Sequence, residues 1–173
     1  MMYKKNVYFD EKECKHIIDF CTTNGEFFNY DSNEVWDCRR VYDKNFKEYV
    51  LDKILKVQKF ESFNIRNINV SMTRYYDGRR LDLHLDKTSN YTTVISLTND
   101  YDDCRFVLSD TFCELNDADT KINLNIGEGI TFEGNSIYHG VMPVHTGIRC
   151  ALNIWMNDTN FVYYKLDNQK KLI

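Results

Sequence analysis

The sequence predicts a jelly roll or barrel of short β-strands, braced by α-helices confined to its N-terminal part. Helical periodicity appears in two stretches before residue 60 and gives way to a period of two from Asn67 onward. The alternating runs after Asn67 are short and punctuated by Gly, Asn and Asp. Aromatic residues make up 14% of the chain, with 12 Tyr and 11 Phe, a composition suited to sheets that pack on both faces. Helices followed by many short strands point to a braced all-β architecture.

Taken in order, Asp10-Glu11-Lys12-Glu13 has the form of a capping box, with Asp10 at the N-cap and Glu13 three residues on. Cys14, Ile17, Ile18 and Cys21 continue it as the apolar stripe of a helix, which Asn24-Gly25 closes. Glu26 to Tyr42 is mixed and aromatic, with Phe27, Phe28, Tyr30, Val35 and Trp36, and fits short strands or an ordered loop. A second helix is expected from Asp43 or Asn45 to Lys59, with Phe46, Val50, Ile54 and Val57 on one side. Both helices should brace a sheet.

Ile68, Val70, Met72, Arg74 and Tyr76 then alternate with Asn69, Ser71, Thr73 and Tyr75, up to the turn Tyr76-Asp77-Gly78. Leu81 to Asp86 follows as a strand, and Tyr91 to Leu97 as one rich in β-branched residues. Further short strands are expected at Cys104 to Leu108, Ile122 to Asn125, Gly129 to Phe132, Ser136 to His139 and Ile148 to Met156. Phe161 to Lys165 is expected to add a last edge strand.

A chain of 173 residues with 43% hydrophobic content fills one domain well. Its one proline and seven glycines leave no flexible linker. The expected division is a mostly helical bracing segment over 1–66, a β core over 67–157 and an edge strand with tail over 158–173. The net charge is −4, and basic residues occur only in pairs such as Arg39-Arg40 and Arg79-Arg80, which argues against nucleic acid as an obligatory partner. None of the six cysteines forms a Cys-x-x-Cys pair, so reduced, structural thiols are expected. Met1 to Asp10 is too polar for a signal sequence, and no apolar run reaches the roughly 20 residues of a membrane span. A cytoplasmic protein is expected. The Asn-, Lys-, Tyr- and Ile-rich composition suggests an AT-rich genome, so the cytoplasm would be a host's if the source is viral. The oligomeric state is not legible.

The chemistry concentrates in two stretches. In Leu81-Asp82-Leu83-His84-Leu85-Asp86, period two puts the leucines on one face and Asp82, His84 and Asp86 on the other. His84 and Asp86 then emerge about 6.6 Å apart, close enough to reach one cation. His139 is the candidate third ligand. Two histidines and a carboxylate on one face of an octahedron leave the opposite face open, as in non-heme Fe(II) oxygenases. Zinc would more often take a closed set of Cys and His, and no cysteine has that spacing. His16 reads as a solvated helix residue and His145 as a turn residue. Arg149 alternates with Cys150 and shares a face with Ala151, Asn153 and Trp155. Pointing inward, it would need an anion, and its planar guanidinium suits a carboxylate.

The pattern Tyr75-x-x-Gly78, His84-x-Asp86, His139-Gly-Val-x-Pro143-Val144-x-x-Gly147-x-Arg149 and Trp155 resembles the 2-oxoglutarate- and Fe(II)-dependent oxygenases, within them the prolyl 4-hydroxylase-like branch. The resemblance covers roughly residues 67 to 157. It implies a double-stranded β-helix with Fe(II) held by His84, Asp86 and His139 as metal ligands and catalytic centre. It implies 2-oxoglutarate clamped by Arg149 and touched by Tyr75, with O2 as the other cosubstrate and ascorbate as an accessory reductant. The implied reaction is hydroxylation of a peptidyl side chain, proline before others, with release of succinate and CO2. The implied partner is therefore a peptide or protein substrate. The same chemistry on a free amino acid, small metabolite or nucleobase, and a non-catalytic jelly-roll binding module, are the alternatives.

The sequence departs from the pattern at Leu81, where relatives carry a tyrosine, and at Asp102-Asp103-Cys104-Arg105, which replaces a Gly-Gly-Glu stretch. Leu97 stands where a tyrosine hydroxyl would help to hold the oxo-acid, and Thr93 or Ser96 could supply a substitute.

Overall fold

The computed structural model describes residues 3–28, 37–58, 67–102, 105–112 and 120–157. The elements run β1 (Tyr3–Val7), α1 (Glu11–Asn24), β2 (Glu26–Phe28), β3 (Asp37–Val41), α2 (Lys44–Val57), β4 (Asn67–Tyr75), β5 (Arg79–His84), β6 (Tyr91–Ser96), β7 (Phe106–Ser109), β8 (Thr120–Ile122), β9 (Glu128–Phe132), β10 (Tyr138–Val144) and β11 (Arg149–Asn157). They form a seven-stranded sheet, β1-β9-β6-β11-β4-β3-β2, and a four-stranded sheet, β5-β10-β7-β8. Every named pairing is antiparallel. The architecture is a double-stranded β-helix braced by two helices, as the residue pattern predicts.

Both helices start as their sequences dictate. The Asp10 carboxylate accepts from Glu13 N at 2.7 Å, and Asp10 N donates to the Glu13 carboxylate at 3.0 Å, closing the capping box of α1. Asp43 caps α2 by accepting from Phe46 N at 2.7 Å. Gly25 ends α1 without left-handed backbone: its φ is −77°. Its lack of a side chain matters because a Cβ there would lie 2.4 Å from the Cys21 carbonyl oxygen.

The two helices pack on the outer face of the large sheet, where Cys14, Ile17, Val50 and Ile54 meet Val70, Met72, Leu152 and Ile154. A second core fills the space between the sheets, with Val94, Ile130 and Ala151 facing Phe106, Leu108 and Val141. The alternation of β11 sorts its residues between these cores: Cys150, Leu152, Ile154 and Met156 turn to the helices, and Ala151 turns between the sheets. The four cysteines among the described residues, Cys14, Cys21, Cys38 and Cys150, are buried free thiols.

The structure departs from the sequence reading in several places. Strands β2 and β3 fall in the Glu26 to Tyr42 stretch, where short strands are expected, but β1 is not expected. β1 escapes detection because it is an edge strand with an exposed, largely polar face, held by main-chain pairing to β9. β10 runs on through Pro143, where the pairing with β5 is irregular and the missing N–H is tolerated. Strict alternation in Leu81–Asp86 also fails. Val141 pairs with Leu81 and His139 with His84, so three steps on β5 face two on β10. This bulge turns Leu81 and His84 to the same cleft and leaves Asp82 exposed, paired with Arg80 at 3.1 Å.

Leu97 does not belong to the pocket. It is 1% exposed and packs in the helix-side core. Of the two candidate substitutes, Thr93 lies opposite Ile154 on that same side, whereas Ser96 lies opposite Ala151 and faces between the sheets, meeting the Tyr101 hydroxyl at 3.1 Å. The expected edge strand Phe161 to Lys165 lies outside the described residues, as do Trp36, Cys104 and Cys113.

Candidate metal centre

The last residue of β5, His84, stands opposite His139 near the start of β10. Their rings lie 4.3 Å apart between centroids. Asp86 follows two residues after His84, just beyond the strand. Its N–H donates to the Gly134 carbonyl at 2.8 Å, and its Oδ2 accepts from the Thr92 hydroxyl at 2.6 Å. Gly134 is required here, because a Cβ would lie 2.3 Å from Thr92 Oγ1 and 3.1 Å from Asp86 Cβ. The ligand atoms of His84, Asp86 and His139 all lie within 4.8 Å of one another.

The orientation of both imidazoles is set by main chain. His84 Nδ1 lies 2.9 Å from the Asp82 carbonyl, and His139 Nδ1 lies 3.1 Å from the Ile137 carbonyl. A carbonyl only accepts, so each Nδ1 carries the proton and donates it. Each neutral ring therefore presents a bare Nε2. These nitrogens point at the carboxylate, His139 Nε2 at 3.2 Å from Asp86 Oδ2 and His84 Nε2 at 3.7 Å from Asp86 Oδ1. Acceptors that converge this closely require a cation or a proton between them. Burial, together with the neighbouring His139, lowers the pKa of His84, which favours the bare form. Burial pushes Asp86 upward, but the facing His139 and His84 rings and the Thr92 hydroxyl outweigh it and hold the carboxyl below its ordinary value. Phe132, with its ring centroid 4.7 Å from that of His139, forms an apolar backing. A divalent cation fits this donor set, and the outer hydrogen bonds are those that fix metal ligands.

The cluster opens into a cleft of about 280 Å³, whose wall includes Ser71, Thr73, Tyr75, Leu81, Asn153 and Trp155. Arg149 is 2% exposed, and its Nη1 has no hydrogen-bond partner. Among the described residues no carboxylate pairs with it; its guanidinium lies 5.4 Å from the centroid of the Tyr75 ring. Tyr75 pairs with Arg149 in register and lines the cleft, so it connects the buried cation with the histidine cluster. His16 and His145 are both exposed, as their sequence contexts predict.

No family profile matches the sequence, and no curated protein does. Solved structures do match. A viral collagen prolyl hydroxylase from Paramecium bursaria Chlorella virus-1, in its 2OG complex, aligns with a TM-score of 0.64 at 19% identity, over 90% of this chain and 96% of that one. A prolyl-4-hydroxylase from Pseudomonas putida gives 0.66 at 12% identity, over 89% and 91%. A prolyl hydroxylase from Trichoplax adhaerens, in complex with a hypoxia-inducible-factor peptide fragment, gives 0.67 at 13% identity, over 90% and 83%. The chain has the prolyl hydroxylase fold.

Within that fold, the residues singled out from sequence fall into two groups joined by the cleft: His84, Asp86 and His139 in one, and Arg149 with Tyr75 in the other. Sequence reasoning missed Thr92 and Gly134. Thr92 is one of many β-branched residues in its strand, and nothing local marks its hydroxyl as the partner of Asp86. Gly134, in the turn Glu133-Gly134-Asn135, is visible only as a turn residue. The carbonyls of Asp82 and Ile137, which orient the rings, carry no side-chain signal at all.

Proposed function

We propose that the protein is a non-heme Fe(II)- and 2-oxoglutarate-dependent dioxygenase that hydroxylates a peptidyl side chain, proline before others. The observation that carries this reading is the pairing of two donor sets of opposite sign. Two bare imidazole nitrogens and a carboxylate converge on one point, and a buried guanidinium nitrogen without an acceptor stands behind Tyr75. The first set suits Fe(II), and the second suits the distal carboxylate of an oxo-acid.

In this reading His84, Asp86 and His139 hold Fe(II) and leave the remaining coordination positions to ligands entering from the cleft. Bound there, Fe(II) would supply the activation of O2 that couples oxidative decarboxylation of 2-oxoglutarate, giving succinate and CO2, to substrate hydroxylation. Arg149 binds the oxo-acid through charge and fork geometry, and Tyr75 shapes the passage between clamp and cluster. Thr92 and Gly134 keep the carboxylate of Asp86 in place. Phe106 and Phe132 exclude water from the His139 side. The fold's occurrence in collagen- and peptide-modifying prolyl hydroxylases supports a peptide substrate.

The experiment has two stages. Succinate formation from 2-oxoglutarate with Fe(II) and ascorbate is measured for the wild type and His84→Ala. Proline-containing peptides are then incubated with the enzyme and weighed by mass spectrometry. Gain of one oxygen on proline supports the reading; succinate formation without any peptide product moves the substrate to a small molecule.

A further inference from the structure

Arg149 enters the interior from an exposed turn. His145, Thr146, Gly147 and Ile148 are all exposed, and the next residue, Arg149, is 2% exposed. A buried guanidinium with an unpaired nitrogen is costly, and the turn that leads to it already lies in water. Exposed turns open locally at low cost, so this one would let Arg149 swing outward unless something held it.

The loop after β6 holds it. Asp102 accepts the His145 N–H with both carboxylate oxygens, at 3.1 and 3.2 Å, and its own N–H donates to the Thr146 carbonyl at 3.2 Å. Tyr101 bridges to Gly147, and the Ile148 N–H donates to the Asp100 carbonyl at 3.2 Å. The Thr98 hydroxyl donates to the Ile148 carbonyl at 2.9 Å and accepts from Cys150 N at 2.9 Å. Each residue from His145 to Ile148 is thus tied to the loop. Gly147 permits the close approach: its φ is +75°, and a Cβ there would lie 2.0 Å from the Asp100 carbonyl oxygen. The loop is itself anchored inward. Ser96 spends its hydroxyl proton on the Thr98 carbonyl at 2.9 Å, which makes the Tyr101 hydroxyl the donor to Ser96 at 3.1 Å.

We infer that Thr98 to Asp102 form a clasp that keeps Arg149 turned inward before 2-oxoglutarate arrives and so preorganises the oxo-acid site. The inference rests on the proposed function and adds to it a positioning residue outside the cleft, Asp102, which acts on Arg149 through the turn. Asp102 opens the stretch in which the sequence departs from the oxygenase pattern, and the clasp gives that departure a role.

The test loads the full chain with Mn(II) and measures 2-oxoglutarate binding by calorimetry in the wild type, Asp102→Ala, Asp102→Asn and Thr98→Val. Asp102→Ala and Thr98→Val should raise the Kd for 2-oxoglutarate about 3- to 30-fold, because the inward state is then only partly populated, and leave Mn(II) affinity within about twofold. Asp102→Asn, which keeps an acceptor for the His145 N–H, should bind like the wild type. Amide hydrogen exchange gives a second readout. The Ile148 and Cys150 amides should exchange faster in Asp102→Ala and slow again when 2-oxoglutarate is added, because the anion then holds Arg149 inward; a turn that merely stabilises the fold would exchange faster with or without the acid. Unchanged 2-oxoglutarate affinity in Asp102→Ala, or a loss of Mn(II) affinity as large as that of 2-oxoglutarate, overturns the clasp alone; if Asp102→Ala does not fold, Thr98→Val decides by the same criteria. A wild type that binds Mn(II) but not 2-oxoglutarate overturns the proposed function and the clasp with it.

Discussion

His84 and His139 stand directly opposite each other in the β5–β10 pairing, and both use a main-chain carbonyl two residues back in the chain to hold Nδ1. This symmetry aims two bare Nε2 atoms at one carboxylate. It also explains why the chain pairs β5 and β10 through a bulge: with Val141 opposite Leu81, an unbulged ladder would place Leu83, not His84, opposite His139.

The support around Asp86 can be removed without touching a ligand. Thr92→Val keeps volume but deletes the 2.6 Å hydrogen bond to Oδ2. Loss of such a partner should weaken metal binding about 10- to 100-fold, measured by Fe(II) or Mn(II) titration, with Tm of the metal-free protein nearly unchanged.

Gly134→Ala should do more. The added methyl would meet both Thr92 Oγ1 and Asp86 Cβ, and the turn that accepts the Asp86 N–H would have to shift. Metal affinity should fall further than in Thr92→Val, and differential scanning calorimetry should show a lower Tm.

Arg149 separates binding from stability. Arg149→Met removes a buried charge that has no anionic partner among the described residues, so the variant should be as stable as the wild type or more so. Calorimetric binding of 2-oxoglutarate to the metal-loaded protein should be lost. Arg149→Lys should bind weakly, because charge survives while the fork geometry does not. Equal affinity in Arg149→Lys would count against the clamp.

The metal site should resist mild acid. A proton competes for His84 Nε2 only below the pKa of that ring, and burial with the facing His139 lowers it from 6.5. The contribution of His84 to metal affinity should therefore hold as pH falls to 6.5 and decline only below it. The linked effect on the metal-free protein has the same direction: a ring that is harder to protonate when folded costs stability as pH falls through 6.5. Affinity already halved at pH 7 would contradict this assignment.

Much of this site was legible in the residues, for a physical reason. His84, Asp86, His139 and Arg149 are ionisable groups at unusual spacing in otherwise apolar strands, and that anomaly survives without a structure. The capping box of α1 and the helical stripes were legible because they are local. What depended on pairing was not. The bulge that brings Leu81 beside His84 depends on the pairing of β5 with β10, more than fifty residues away. The helix-side position of Leu97 follows from its neighbours on β11. β1 has no apolar pattern because one edge of a sheet can be held by main chain alone.

The most direct test of the account is succinate production from 2-oxoglutarate by the purified protein under air, with and without added Fe(II). Fe(II)-dependent succinate in the wild type, abolished in His84→Ala and in Asp86→Asn, is the predicted result. Succinate that forms equally in the two variants, or a wild type that binds Fe(II) at this cluster without binding 2-oxoglutarate, would contradict it.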